Sequence, residues 1–194
     1  MITLIDYGVG NIFAFQNVYK RLDIPTKIAK THDDLADAQK LILPGVGSFD
    51  YAMGQLNASG MREKLDELVL EKKVPVIGIC VGMQMMGNRS DEGKLEGLKW
   101  IDSEILKFDE NLIQQRTKLP HMGWNDVAPL KNHPLFIGLE KEAIFYFLHS
   151  YYFDCKNAED VIAVSDYGDR FTCAANHGNV YGIQFHPEKS HKYG

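Results

Sequence analysis

An apolar, β-branched run at residues 74–79 ends abruptly in Gly78-Ile79-Cys80-Val81-Gly82, and no other stretch of the sequence restricts the fold as tightly. A G-x-C-x-G pattern directly after an apolar strand is the form of a nucleophile elbow, a sharp strand-to-helix turn that exposes one reactive side chain. Gly78 and Gly82 flank the cysteine where larger side chains would collide in so tight a turn. The rest of the first half supplies a setting for such a turn. Residues 2–7 form a short apolar run closed by Gly8 and Gly10, and Ile12, Phe15, Val18 or Tyr19, and Leu22 then recur at helical spacing until Pro25. Residues 26–30 and 40–43 read as further strands. Met61, Leu65, Leu68 and Val69 mark one face of a helix. Strand and helix in alternation predict a parallel sheet covered on both faces.

The second half has a different texture. Residues 104–108, 144–153, 161–165, 171–176 and 180–185 are strand-like and separated by Asn, Asp and Gly turns. Asn176-His177-Gly178-Asn179 reads as a hairpin turn between the last two. The expected fold is therefore α/β. It is one domain over residues 1–194, with a mostly parallel central sheet flanked by helices and an antiparallel, β-rich flank in the second half.

Charge and composition narrow the function. The 194 residues carry 21 Lys and Arg against 26 Asp and Glu, a net charge of −5, with 45 % hydrophobic residues. That excludes a disordered chain and a basic nucleic-acid binder. Residues 74–87 are the most apolar stretch and are too short to span a bilayer, and Asp6 interrupts the apolar start where a signal peptide would lie. No membrane association is expected. Three irregularly spaced cysteines, Cys80, Cys155 and Cys173, fit a reducing cytoplasm better than a disulfide scaffold. The seven histidines show no metal-ligand spacing, so neither a metal nor another cofactor is expected.

A cysteine nucleophile needs a base and a group to orient it, and Gln184-Phe185-His186-Pro187-Glu188 offers both at the end of the last apolar strand. In an extended chain His186 and Glu188 share a face, and Pro187 stiffens the link. Alone, Cys80 reads as a small buried hydrophobe and His186 as a surface histidine. Together they read as a triad: Cys80 as nucleophile, His186 as general base and then acid, and Glu188 fixing the imidazole tautomer. A helix beginning after Cys80 would aim N–H groups at the sulfur. Pro44-Gly45-Val46-Gly47-Ser48 follows another strand and would reach the same sheet edge, where N–H groups of Gly47 and Val81 would form an oxyanion hole. A phosphate loop is the competing reading, but the Gly-Lys-Ser/Thr of that motif is missing.

In combination, Pro44 to Gly47, Gly78 to Gln84 and Gln184 to Ser190 resemble the triad-type, class I glutamine amidotransferases. Asp6 to Asn11, Pro120 to Asn125 and His149 to Tyr152 extend the resemblance to the glutaminase subunits of imidazole glycerol phosphate synthases, and it covers positions 2 to 194. The resemblance implies hydrolysis of L-glutamine through a glutamyl thioester on Cys80. It places Gly47, Gln84, Glu92, Ser150 and Tyr151 around the substrate. It also implies a heterodimer in which ammonia passes to a (β/α)8-barrel cyclase of histidine biosynthesis, with His121, Met122, Trp124 and Asn125 facing that partner in a loop-like stretch. Independently, a one-domain chain of this length is expected to leave no room for an ammonia acceptor site.

The sequence departs from the family in three places. Gly87-Asn88-Arg89-Ser90-Asp91, before Glu92, is less apolar than usual. Trp100 stands where many histidine-pathway members have an aliphatic residue. The sequence stops at Gly194, where family members usually continue into a further helix. Trp100 raises an alternative, a paralogue supplying ammonia for amidation of a surface-polysaccharide sugar. The readings from other classes are a free-standing cysteine hydrolase and a catalytically silent docking subunit. The partner-like stretch at 120–125 speaks against the first, and the intact triad against the second.

Overall fold

Short-range chemistry sets the first strand–helix–strand unit. In the computed structural model, which describes residues 1–139 and 142–194, strand β1 (Ile2–Ile5) leads into helix α1 (Ile12–Arg21). The Asn11 side chain caps the helix by accepting from the Ala14 N–H at 3.2 Å, and Lys20 and Arg21 face its negative end. Ile12 and Phe15 turn inward. Strands β2 (Thr26–Ala29) and β3 (Leu41–Gly45) follow, the latter buried at every position.

Helix α2 (Phe49–Ala58) goes beyond the expected elements, although Phe49, Ala52, Met53 and Leu56 are all buried at i, i+3, i+4 and i+7. The expected helix through Met61, Leu65, Leu68 and Val69 is α3 (Arg62–Asp66) continued by a π turn (Glu67–Glu71), with those four side chains in the core. Strand β4 (Val76–Cys80) and helix α4 (Val81–Met85) form the elbow.

The longer elements of the second half are strands: β5 (Arg89–Ser90), β6 (Ser103–Lys107), β7 (His121–Asp126), β8 (Ala128–Pro129), β9 (Ile144–His149), β10 (Tyr151–Cys155), β11 (Val161–Tyr167), β12 (Asp169–His177) and β13 (Val180–Ile183). The main sheet runs β2-β1-β3-β4-β13-β12-β10-β6-β5, with β11 branching from β12 and β8 pairing with β11. From β2 to β13 all pairs are parallel. From β13 through β6 they are antiparallel. The expected α/β class, with its parallel sheet and antiparallel flank, is the observed one, as is the hairpin turn between β12 and β13.

Two expectations need correction. Residues 144–153 are not one strand. The chain divides at Ser150, because β9 pairs with β7 in a separate two-stranded sheet while β10 pairs with β6 and β12 in the main one. Residues 121–126 are not a loop but strand β7, held by six paired positions along β9. Among the described residues no helix is long and apolar enough to cross a membrane.

Candidate active site

The elbow sits at the centre of the sheet, with β4 between β3 and β13. In register, Gly45 lies beside Cys80 and Leu43 beside Gly78. Cys80 adopts φ +56°, a left-handed conformation unusual for a side-chain-bearing residue. The tight turn depends on glycine contacts that leave no room for a methyl group. A Cβ at Gly82 would run into the Leu43 carbonyl, and one at Gly45 into the backbone of Val81 and Gly82. Backbone cannot swing aside as a flexible side chain can. Gly82→Ala is therefore expected to lose about 3 kcal/mol of unfolding free energy, as for other overpacked cores, measured by urea titration. An unchanged midpoint would show that the elbow has slack.

Two segments converge on the sulfur. Beyond β13 the chain continues to His186, which is 3 % exposed. The Nδ1 of His186 lies 2.8 Å from Glu188 Oε1. The expected pairing forms, but by a different geometry. Pro187–Lys189 is a 3-10 turn rather than extended strand, and it folds the carboxylate back onto the ring. Burial alone would lower the pKa of His186. Hydrogen bonds to Cys80 and Glu188, with their negative charges, outweigh it and raise the value to about 9. The helix after Cys80 is only five residues long, so the charged neighbour that the structure supplies is His186.

Ser190 braces this arrangement. Its hydroxyl donates to the His186 carbonyl at 2.6 Å and accepts from the Tyr146 N–H at 3.0 Å. His149, which also borders the site, stays neutral. Burial pushes it down to about 3, and its Nδ1–H donates to the Tyr151 carbonyl at 2.8 Å. The imidazolium of the site therefore belongs to His186.

Cys80 and His186 open into a cavity of about 270 Å³ that Val46, Gly47, Val81, Gln84, Glu92, Ser150 and Tyr151 also line. All the residues expected around a bound substrate thus meet in one place. Gly47 has φ +83°, a conformation suited to glycine. The Gln84 amide is engaged with protein, donating to the Tyr151 carbonyl at 3.1 Å and to Gln184 Oε1 at 3.0 Å. Glu92 Oε2 accepts from the Phe49 N–H at 2.8 Å. A larger cleft of about 450 Å³ lies on the far side of Glu188 among Phe15, Tyr19, Phe136 and Phe185. Neither Cys80 nor His186 lines it, so size does not decide which is the candidate site.

Residues 3–194 match the family of class-I glutamine amidotransferases. The chain belongs to that family. Over its full length it is 56 % identical to the imidazole glycerol phosphate synthase subunit HisH of Bdellovibrio bacteriovorus and 49 % identical to that of Leptospira interrogans, spanning 95 % of each. Solved structures share the fold at lower identity. A glutamine amidotransferase superposes with a TM-score of 0.72 at 18 % identity, over 96 % of this chain and 90 % of the other. A glutamine amidotransferase from Thermotoga maritima gives 0.66 at 16 %, over 96 % and 75 %.

In this amidotransferase-family chain, groups without a sequence-based role also lie close to Cys80 and the glycine loop. Gln184 is fully buried with its amide 3.7 Å from Cys80 Sγ, and the Leu148 carbonyl lies 3.8 Å from the same sulfur. Tyr7 donates to the Pro44 carbonyl at 2.7 Å, tying β1 to the glycine loop. Gln184 and Ser190 both lie inside the segment that carries His186, which was their only sequence signal.

The four residues expected at a partner surface divide by strand alternation. Met122 and Trp124 point outward, 63 % and 47 % exposed. His121 points inward, 4 % exposed and stacked on Phe147 and Tyr167, so it makes no external contact itself. Asn125 is half-buried and reaches His121 Nε2 at 3.2 Å and the Asp166 carbonyl at 2.9 Å.

Proposed function

We propose that residues 1–194 act as one glutaminase domain, the subunit that supplies ammonia to a cyclase in histidine biosynthesis. The observation that carries this reading is the Cys80–His186–Glu188 arrangement in a cavity of amino-acid size, within a chain whose full-length relatives are named as HisH subunits. Cys80 Sγ attacks the side-chain amide carbon of L-glutamine, and the N–H groups of Gly47 and Val81 receive the developing oxyanion. The C–N bond then breaks as His186 protonates the departing ammonia. His186 next takes a proton from water, whose oxygen attacks the thioester and releases glutamate. Glu188 holds Nδ1–H, so that Nε2 faces the chemistry. Gln84, Glu92, Ser150 and Tyr151 form the walls that hold glutamine. No cofactor enters these steps. The unbridged cysteines accord with a cytoplasmic location.

Trp100 gives the sugar-amidation alternative no support. It is buried, and its indole N–H donates to Asp66 at 2.7 Å, away from the cavity, so it is a packing residue of α3 rather than a determinant of the acceptor. The partner in this reading is a (β/α)8-barrel cyclase bound as a heterodimer. Met122, Trp124 and the part-exposed Leu148 form an apolar face on the β7–β9 sheet, and the Leu148 carbonyl lies 3.8 Å from Cys80 Sγ. His121 and Asn125 support that face from behind.

Titrating the cyclase, loaded with its acceptor, into the chain is expected to accelerate glutamine turnover strongly. Trp124→Ala is expected to weaken the complex about thirtyfold, as for a central aromatic anchor, with little change in melting temperature. Equal turnover with and without the cyclase would end the coupled-subunit reading. Equal binding by Trp124→Ala with a lower melting temperature would make Trp124 a core residue.

A further inference from the structure

Two acidic side chains tie the glycine loop to the wall of the cavity. Helix α2 begins directly after that loop, and its N-cap residue Ser48 makes no side-chain cap. The Phe49 N–H donates instead to Glu92 Oε2 at 2.8 Å, across 43 residues of sequence. One residue on, Asp50 returns the contact. Its two carboxylate oxygens accept from the Lys94 N–H at 3.0 and 2.9 Å, and Oδ1 also accepts from the Leu95 N–H at 3.0 Å. Each segment therefore caps the other. The fit is close enough that a Cβ at Gly93 would run into the Asp50 carboxylate.

We propose that Asp50 is a positioning residue for glutamine hydrolysis, one that sets Glu92 by pinning the two residues behind it. The proposal rests on the reading of the chain as a glutaminase. With Oε2 committed to the Phe49 N–H, Oε1 is the Glu92 oxygen left for a cationic group in the cavity, and the α-ammonium of glutamine is such a group. That split works only if the backbone at 92–95 is fixed. The Asp50 bonds supply the restraint, since they hold two N–H groups of a segment outside any helix or strand. Asp50 lines no part of the cavity, so it acts through Glu92 and not on substrate. Binding of the ammonium is made equally in ground and transition states, so its loss falls on KM more than on kcat.

The test is covalent labelling of Cys80 in the full chain with three reagents: iodoacetamide, a chloroketone analogue of glutamine, and the same chloroketone without its amino group. Iodoacetamide reads the thiol alone, and the pair of chloroketones isolates the ammonium. Asp50→Ala is expected to slow labelling by the glutamine chloroketone about tenfold, the effect of weakening one charge-assisted contact. Rates with the other two reagents should stay within about twofold, below the scale of such a contact. Gly93→Ala should reproduce this pattern by displacing the carboxylate. Asp50→Asn keeps Oδ1 as an acceptor for both N–H groups but sets an NH2 where Oδ2 accepts from Lys94, so its rate should fall between those of wild type and Asp50→Ala. Equal slowing with all three reagents would mean a general collapse of the site, and an unchanged glutamine chloroketone rate would mean that Glu92 needs no such support. Either result overturns the proposal. If the wild-type chain shows no preference for the glutamine chloroketone over its des-amino form, the glutaminase reading fails and the proposal goes with it.

Discussion

Cys80→Ala is expected to abolish glutamine hydrolysis, with turnover in the presence of the cyclase falling by at least about 10⁴-fold, the scale seen when a covalent nucleophile is removed. The fold should survive. Alanine keeps the Cβ that already fits the turn at φ +56°, and the change deletes a single buried sulfur. Besides its pairing with His186, that sulfur makes two weak contacts, at 3.7 Å to the Gln184 amide and 3.8 Å to the Leu148 carbonyl. The melting temperature should therefore move by only a few degrees, in line with loss of one small group. Ammonia release measured beside a thermal melt checks both halves. Appreciable turnover by the folded variant would remove Cys80 from the chemistry.

Glu188→Gln should have the second largest effect. The substitution keeps the shape of the turn and removes the negative charge 2.8 Å from His186 Nδ1. An amide can also present its NH2 to Nδ1 and so favour the wrong tautomer. A fall in turnover of about 10³-fold is expected by analogy with loss of the anionic member of other triads. A pH signature should accompany it. Burial opposes the charge on His186, yet Cys80 and Glu188 raise its pKa to about 9, above the ordinary value near 6.5. A group raised on folding stabilises the native state fully below its unfolded pKa and loses that contribution as pH climbs through the folded one. Wild-type stability from His186 is thus present at pH 6 and lost toward and beyond pH 9. With the carboxylate gone the folded pKa drops, so the decline in melting temperature between pH 6.5 and 9 should flatten. A variant that keeps the wild-type slope would show that Cys80 alone holds the proton on His186.

Much of this site is legible in the sequence because its key residues are local. Cys80 announces itself through flanking glycines and the apolar run before it. His186 and Glu188 are two residues apart, so no long-range folding is needed to bring them together. The glycine loop at 44–48 is readable for the same reason, as a strand end with its turn residues adjacent. Pairings across the chain were harder to read. Gln184 and Cys80 are separated by 104 residues, Leu148 and Cys80 by 68, and Phe49 and Glu92 by 43. No periodicity records a contact of that kind.

Residues 144–153 illustrate the limit most clearly. Read locally they are one continuous β-prone segment, and nothing in their composition marks Ser150 as the point where the chain leaves one sheet for another. Their division is decided by which strands are available to pair. Strand β7 takes the first part and β6 with β12 the second. The crossing at Ser150 and Tyr151 is what forms one wall of the cavity.

By itself the sequence determined the alternation of elements, the sharp turn at Cys80 and the closeness of His186 to Glu188, the residues proposed here as a triad, because backbone sterics and short-range spacing encode them. Tertiary structure alone decided which face of β7 meets solvent, which buried amide lies against the sulfur, and how Asp50 and Glu92 brace the glycine loop. Those outcomes depend on strand partners and on satisfying buried hydrogen-bonding groups, which are properties of the assembled sheet and not of any segment within it.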